Sequence, residues 1–507
     1  MKSIVSRIDE WGLKEPNRQA YDYLGQTYTY GQLKTYSDAL AKYLQNMNLA
    51  AKAPIVVFGG QSFEMLVAFL GCVKAGHAYI PIDDSSPKER VQLIVEIAKP
   101  AACITISELD LTLDSLIITN EELTSLMTSN DCQYETTLSV KQEEDFYIIF
   151  TSGTTGVPKG VRISHDNLVS FCNWMLQDFA LPTGVTCLAQ PPYSFDLSVM
   201  NLYPTLLLGG KLVAMPKEIS MDFKQLFAKL PTLKIKEWVS TPSFVELCML
   251  DPNFNAQNLP DLTYLLFCGE ELTHATADKL KQRFPQAQIY NTYGPTEATV
   301  AVTVVRLDEQ IMQSYTRLPI GKAKEDTRVI LLDENEQEVG LNQAGEITII
   351  GPSVSAGYLN NPEKTAASFK QIAGQWAYKT GDLGQYDENG QLLYKGRLDF
   401  QIKLHGYRIE LEDVDHHLAA VSVINQAIAI PKYDKDHKVS QLLAYVVVKE
   451  TQNKDVNQLT KEIKDELNQT MMAYMMPQRF IYVDSLPLTQ NGKIDRKKLM
   501  AEVNGSC

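Results

Sequence analysis

Two apolar spacings alternate along the first half of the chain. Short runs such as Ile55–Phe58 and Tyr147–Phe150 are apolar throughout and end at Gly or Ser, as strands buried on both faces do. Between them lie stretches of helical period. Ser164 is a good N-cap, and after it Leu168, Phe171, Cys172, Met175 and Phe179 recur on one helical face, which reads as core packing. Strands alternating with helices predict α/β layers with largely parallel sheets. From about Arg317 to Tyr358 the pattern changes. Val329–Leu332 and Glu346–Ile350 read as strands separated by turn-rich segments such as Glu334-Asn335-Glu336, which predicts a β-rich subdomain. Beyond Gly396-Arg397-Leu398-Asp399, strands are expected at Ile424–Ile430 and Leu442–Val448 and a helix at Leu459–Leu467. The fold class that follows is α/β. A large N-terminal domain, residues 1–398, would hold two α/β layers and the β-rich subdomain, and a small α+β C-terminal domain would span 399–507. No internal repeat or low-complexity linker interrupts this order.

Length agrees with that division, because 507 residues exceed what one core organises. At 45% hydrophobic and 21% charged the composition is that of an ordinary globular chain. The net charge of -14 argues against non-specific nucleic-acid binding, which needs a basic surface. From Phe400 onward there are 14 basic and 14 acidic residues, so the preceding part carries the whole negative excess. A neutral tail behind an acidic body fits a separate C-terminal domain. Eight cysteines include no C-x-x-C pair, which points to small core residues in a reducing compartment. Met1 to Pro16 lacks the apolar core of a signal peptide, and the longest apolar patch, Met65 to Cys72, falls well short of the ~18 residues of a membrane span. A cytoplasmic location without membrane insertion is expected.

The first chemical signal follows the strand at Tyr147. Thr151-Ser-Gly-Thr-Thr-Gly-Val-Pro-Lys-Gly160 joins three glycines and four hydroxyls to one lysine. Glycines let backbone N–H groups approach a polyanion; Thr151, Ser152, Thr154 and Thr155 can donate to phosphate oxygens, and Lys159 supplies a point charge. The loop is not a Walker A motif, since Pro158 sets the lysine an extra position from the glycine. Taken alone, such a loop is more often a polar turn.

With its strand, this segment resembles the signature loop of the adenylate-forming superfamily, which includes acyl-CoA synthetases, luciferase and the adenylation domains of peptide synthetases. Other motifs follow in the family's order: Lys74 to Ile82, Asn291-Thr-Tyr-Gly-Pro-Thr-Glu297, Tyr378-Lys-Thr-Gly-Asp382, Gly396-Arg-Leu-Asp399 and Asn491-Gly-Lys-Ile-Asp-Arg496. The resemblance implies ATP and Mg²⁺ as cofactors. It places Thr151, Ser152, Lys159, Asn291, Thr292, Tyr293, Gly294, Pro295, Thr296, Asp382, Tyr394, Lys395, Gly396, Arg397 and Lys493 around the nucleotide. Asn291 to Glu297 reads as a loop broken by Gly294-Pro295. There Tyr293 offers a face to adenine and Thr296 a hydrogen bond to the α-phosphate, while Glu297 is a hard oxygen ligand for Mg²⁺. Asp382 would accept from both ribose hydroxyls; the plainer reading is an Asp turn after Gly381. Lys493 would stabilise charge developing as a carboxylate displaces pyrophosphate, and Asp399 would be the pivot of a mobile C-terminal domain. Catalysis is thus expected at Lys493, Glu297 and Thr296.

The acid substrate is read from Gln190 to Val199. Asp196, set among aromatic and apolar residues, needs a cationic partner, which an α-ammonium group supplies; the alternative is a helix-capping Asp before Leu197. Four further stretches, Ser194–Tyr203, Val239–Val245, Leu266–Glu270 and Leu398–Gly406, are similar to the branch of the family that activates D-alanine for a carrier protein in teichoic acid D-alanylation. That likeness implies Asp196, Cys268, Val300 and Lys493 as substrate contacts, a phosphopantetheinylated carrier protein as partner, and a monomer. It alone carries the D hand. Open beside it are an adenylation enzyme for another small amino acid, a CoA-dependent ligase, and an adenylate-binding module without catalysis.

Overall fold

The structure is a computed structural model and describes residues 3–505 apart from 114, 129–131, 154–156, 450–454 and 489–493. A six-stranded sheet runs in the order Leu116–Thr119, Ala102–Thr105, Ile55–Phe58, Tyr79–Ile82, Asp145–Thr151, Lys159–Ser164. Its first four strands pair in parallel, and Ile55–Phe58, Tyr79–Ile82 and Ala102–Thr105 are buried at every position, as continuous apolar runs require. The apolar patch Met65 to Cys72 lies within the helix Phe63–Ala75, buried at nearly every position. Ser62 caps its start, and Gly76, at φ 99°, ends it in a left-handed turn. Lys74 in the same helix is fully buried. Its ammonium donates to Asp9 at 2.8 Å, Asp38 at 2.6 Å and Ser37 at 2.9 Å, which offsets its desolvation.

The second sheet has nine strands, in the order Lys322–Ala323, Thr303–Arg306, Gln288–Tyr293, Tyr264–Phe267, Glu237–Ser240, Thr186–Ala189, Lys211–Ala214, Gln19–Tyr23, Gln26–Thr29. The six from Gln288–Tyr293 to Gln19–Tyr23 are parallel, with antiparallel strands at both ends. The helix His165–Asp178 starts at Ser164 with a capping box completed by Asn167, and Leu168, Phe171, Cys172, Met175 and the following Phe179 are all fully buried, as the stripe predicts. The β-rich subdomain is a five-stranded antiparallel sheet of Arg328–Leu332, Ala344–Ile350, Gln375–Tyr386, Phe369–Ile372 and Leu392–Arg397.

By its contacts the chain divides into two units, Met1–Ser85 with Ile97–Phe150 and Gly160–Leu398, and Ser86–Glu96 with Thr151–Lys159 and Asp399–Cys507. The second contains the hairpin Gln401–Leu404 and Tyr407–Glu410, a three-stranded sheet of Ile424–Tyr433, Val439–Val448 and Arg479–Tyr482, and the helices Leu411–Ala420, Val456–Thr470 and Arg496–Asn504. Its core includes Leu404, Ile409, Val414, Leu418, Ala444, Ile463 and Leu467. Among the described residues no helix is long and apolar enough to cross a membrane.

Candidate active site

In a parallel sheet, ligands gather at the carboxyl ends of the strands. Three of the expected sites arise there on the nine-stranded sheet. Asp196 follows the strand Thr186–Ala189, Cys268 directly follows Tyr264–Phe267, and Asn291 to Tyr293 close Gln288–Tyr293. These last three residues are strand and not loop. The parallel ladder with Tyr264–Phe267 runs on to Phe267↔Asn291, and only Gly294-Pro295 breaks it. Asn291 Nδ2 donates to the Pro319 carbonyl at 2.8 Å and Thr292 Oγ1 to the Phe267 carbonyl at 2.8 Å, which tie the strand end to its neighbours.

Asp196 occupies the N-cap position just before the helix Leu197–Leu207, but its side chain makes no capping hydrogen bond, and it is buried. The capping alternative is therefore set aside. Its charge reaches Tyr147, whose phenol is pushed far up by burial and further by Tyr79 and Asp196. Cys268 is buried, with its thiol 3.8 Å from the Val300 carbonyl. Thr299 and Val300 both take positive φ, 57° and 71°. A left-handed β-branched residue is a costly conformation that its surroundings must hold. Two contacts do so here. Thr299 Oγ1 donates to the Ser353 carbonyl at 2.7 Å, and Gly294 passes so close that an added Cβ would lie 2.5 Å from Ala301 Cα.

Three motifs meet at Asp382. Tyr293 donates its hydroxyl to Oδ2 at 2.6 Å, Arg397 Nη1 donates to Oδ1 at 2.7 Å, and the Tyr394 hydroxyl donates to Oδ1 at 3.5 Å. Burial raises both phenols, with the Asp382 charge adding to it. Asp382 lies inside the strand Gln375–Tyr386 rather than in a turn, with Gly381 at φ 71° just before it. Arg397 and Tyr394 are three positions apart, which in a regular strand would place them on opposite faces. The ladder slips between Leu383↔Gly396 and Gly384↔Tyr394, so the exposed Lys395 is an extra residue that restores the parity. Gly396, at φ 114°, accommodates the slip.

Thr296 and Glu297 open the short helical turn Thr296–Ala298, and Glu297 is fully buried. Its Oε1 accepts the Tyr358 hydroxyl at 2.9 Å. Among the described residues no three His, Cys, Asp or Glu side chains gather as a metal site. A hard cation at Glu297 would thus take its other ligands from phosphate and water, as Mg²⁺ commonly does.

Of the expected phosphate contacts in the loop, Thr151, Ser152 and Lys159 are described and group with the second unit. Ser152 Oγ donates to the Arg408 carbonyl at 3.0 Å, and Lys159 Nζ lies 3.8 Å from the Glu410 carboxylate. The Thr151 hydroxyl is buried and has no hydrogen-bond partner among the described residues. Asp399 Oδ1 accepts the Gln401 N–H at 3.2 Å at the start of the hairpin. Thr154, Thr155, Lys493 and Cys507 lie outside the described residues. Sequence reasoning missed Tyr358, Ser353 and Ser355, which touch the Glu297 turn. A lone Tyr in a Gly/Ser loop carries no chemical signature, and only the fold brings it to Glu297.

The profile of the AMP-binding enzyme family matches residues 8–359, and that of the AMP-binding enzyme C-terminal domain matches 413–493. The chain is 56% identical to the D-alanine--D-alanyl carrier protein ligase of Lactiplantibacillus plantarum, over 99% of each chain. The o-succinylbenzoate CoA synthetase of Bacillus subtilis superposes with a TM-score of 0.84 at 19% identity, over 98% of both chains. An NRPS protein containing adenylation and PCP domains superposes with a TM-score of 0.81 at 27% identity, over 99% of this chain and 84% of that one.

Proposed function

This chain belongs to the AMP-binding enzyme family, and we propose that it activates D-alanine with ATP and passes it to the phosphopantetheine thiol of a D-alanyl carrier protein, for the D-alanylation of teichoic acids. The observation that carries the amino-acid part is Asp196, a buried carboxylate whose side chain makes no capping hydrogen bond and which suits the substrate ammonium. Relatives of at least 50% identity over nearly the whole chain bear the ligase name.

Two steps make the reaction. The substrate carboxylate attacks the α-phosphorus of ATP, and the bond to the β-phosphate breaks to release pyrophosphate. The carrier's thiolate then attacks the acyl carbonyl, and AMP leaves with the bonding pair. No general base is needed in the first step, since the carboxylate is already ionised. Asp382, held by Arg397 and Tyr293, takes the ribose hydroxyls. Thr296 would donate to the α-phosphate, Glu297 would hold Mg²⁺, and Lys493 would stabilise the charge that develops as pyrophosphate leaves. Bound Mg²⁺ neutralises phosphate charge. Cys268 and Val300 close the pocket around a methyl side chain. Among the described residues no disulfide joins the cysteines, in keeping with a cytoplasmic site where ATP is also found.

ATP–pyrophosphate exchange tests this with D-alanine, L-alanine, glycine and D-serine, on the wild type and Asp196→Ala. Strong exchange with D-alanine, lost in the variant, is expected. Exchange led by another amino acid would retain adenylation and overturn the D-alanine assignment.

A further inference from the structure

The stretch between the strand Ala344–Ile350 and the helix Pro362–Ser368 belongs to none of the motifs read from sequence, yet it grips the Glu297 turn at three points. The Ser355 N–H donates to the Glu297 carbonyl at 2.9 Å, Thr299 Oγ1 donates to the Ser353 carbonyl at 2.7 Å, and the Tyr358 hydroxyl donates to Glu297 Oε1 at 2.9 Å. The same stretch is anchored on its other side to the strand that leaves the phosphate loop. Leu359 N–H donates to the Gly160 carbonyl at 2.8 Å, Arg162 N–H to the Gly357 carbonyl at 3.2 Å, and Val161 bridges Tyr358. Tyr358 itself is 5% exposed, its ring packed edge-on against Phe369 at 5.3 Å. The phenol therefore has little freedom to leave its acceptor.

Glu297, at 0% exposure, has given up its hydration. A phenol restores one charge-assisted hydrogen bond without cancelling the negative charge, as a lysine or arginine would. The bond limits the orientations open to the carboxylate. A ligand fixed in this way loses less freedom when a cation arrives, and losing a partner that orients a metal ligand typically costs roughly 10–100-fold in metal affinity.

We propose that Tyr358 is a positioning residue that sets the Glu297 carboxylate for the divalent cation accompanying ATP. This rests on the ATP-dependent reading above. Tyr358→Phe removes the hydroxyl and keeps the packed ring. The test titrates Mn²⁺ by electron paramagnetic resonance into the full-length protein with α,β-methylene-ATP, and follows AMP binding without metal and the melting temperature. Tyr358→Phe is expected to weaken Mn²⁺ binding about tenfold or more, with AMP affinity and melting temperature held. Its exchange rate should recover at high Mg²⁺, and adding the change to Glu297→Gln should weaken Mn²⁺ no further. Unchanged Mn²⁺ affinity in Tyr358→Phe would overturn the proposal, and so would a parallel fall in AMP binding and melting temperature. If the wild type bound neither AMP nor Mn²⁺ with the analogue, the ATP-dependent reading would fall, and this assignment with it.

Discussion

Glu237 is fully buried in the nine-stranded sheet, and among the described residues neither carboxyl oxygen finds a hydrogen-bond partner of normal geometry, the Cys187 thiol across the ladder being a weak one. Burial pushes its pKa up from 4.5 to about 8. The folded protein therefore holds a proton that the unfolded chain releases. This stabilising contribution is complete below pH 4.5 and is lost as pH rises to about 8, at roughly 1.4 kcal/mol per pH unit in that window. Glu237→Gln should flatten this part of the stability profile. Melting temperatures of both proteins from pH 4.5 to 8 check it, since a constant difference between them would refute it. The sequence shows Glu237 only as one charged residue at the edge of an apolar run. Burial was not legible there, because the strand's neighbours are distant in sequence. The motifs named the residues expected around the nucleotide, but the bonds among those residues were not legible. That Tyr394 and Arg397 would both reach Asp382 depends on a ladder slip at Lys395, which no local pattern announces.

Among elements, the helix His165–Asp178 shows how far periodicity carries. Its cap and its buried face follow from Ser164 and the stripe beginning at Leu168. Asn167 has a second task invisible to that pattern. Besides closing the capping box, its Nδ2 donates to the carbonyls of Pro352 at 2.7 Å and Val354 at 3.1 Å, within the stretch that holds the Glu297 turn. Asn167→Ala should therefore cost about 2–4 kcal/mol, against about 1 kcal/mol for Ser164→Ala, which removes the cap alone. Urea denaturation of the two variants checks the order, and equal losses would show that the bonds to Pro352 and Val354 contribute nothing. The strands Ile55–Phe58 and Val329–Leu332 were legible for the same reason as the helix, since burial on both faces writes a continuous apolar run. Sheet order was not, because pairing between distant segments leaves no local trace.

For the whole molecule, the chain's division into two units raises the question of how one protein performs two steps. The carboxylate and phenol cluster around Asp382 belongs to the first unit, while the hairpin Gln401–Leu404 and Tyr407–Glu410 belongs to the second. If the Lys493 loop serves only the first step, Lys493→Ala should abolish pyrophosphate exchange and still transfer D-alanine from supplied D-alanyl-adenylate to the carrier. Stopped transfer in the same variant would show that the lysine serves both. The sheet topology has a different kind of outcome, which concerns birth on the ribosome. The strand Gln19–Tyr23 finds its parallel partner only at Lys211–Ala214, with the entire six-stranded sheet made in between. At ordinary rates of synthesis the first hairpin waits roughly ten to forty seconds with one edge unsatisfied. That edge is a template for wrong pairing until the partner emerges. Slower translation between these strands should therefore lower soluble yield without altering the finished protein.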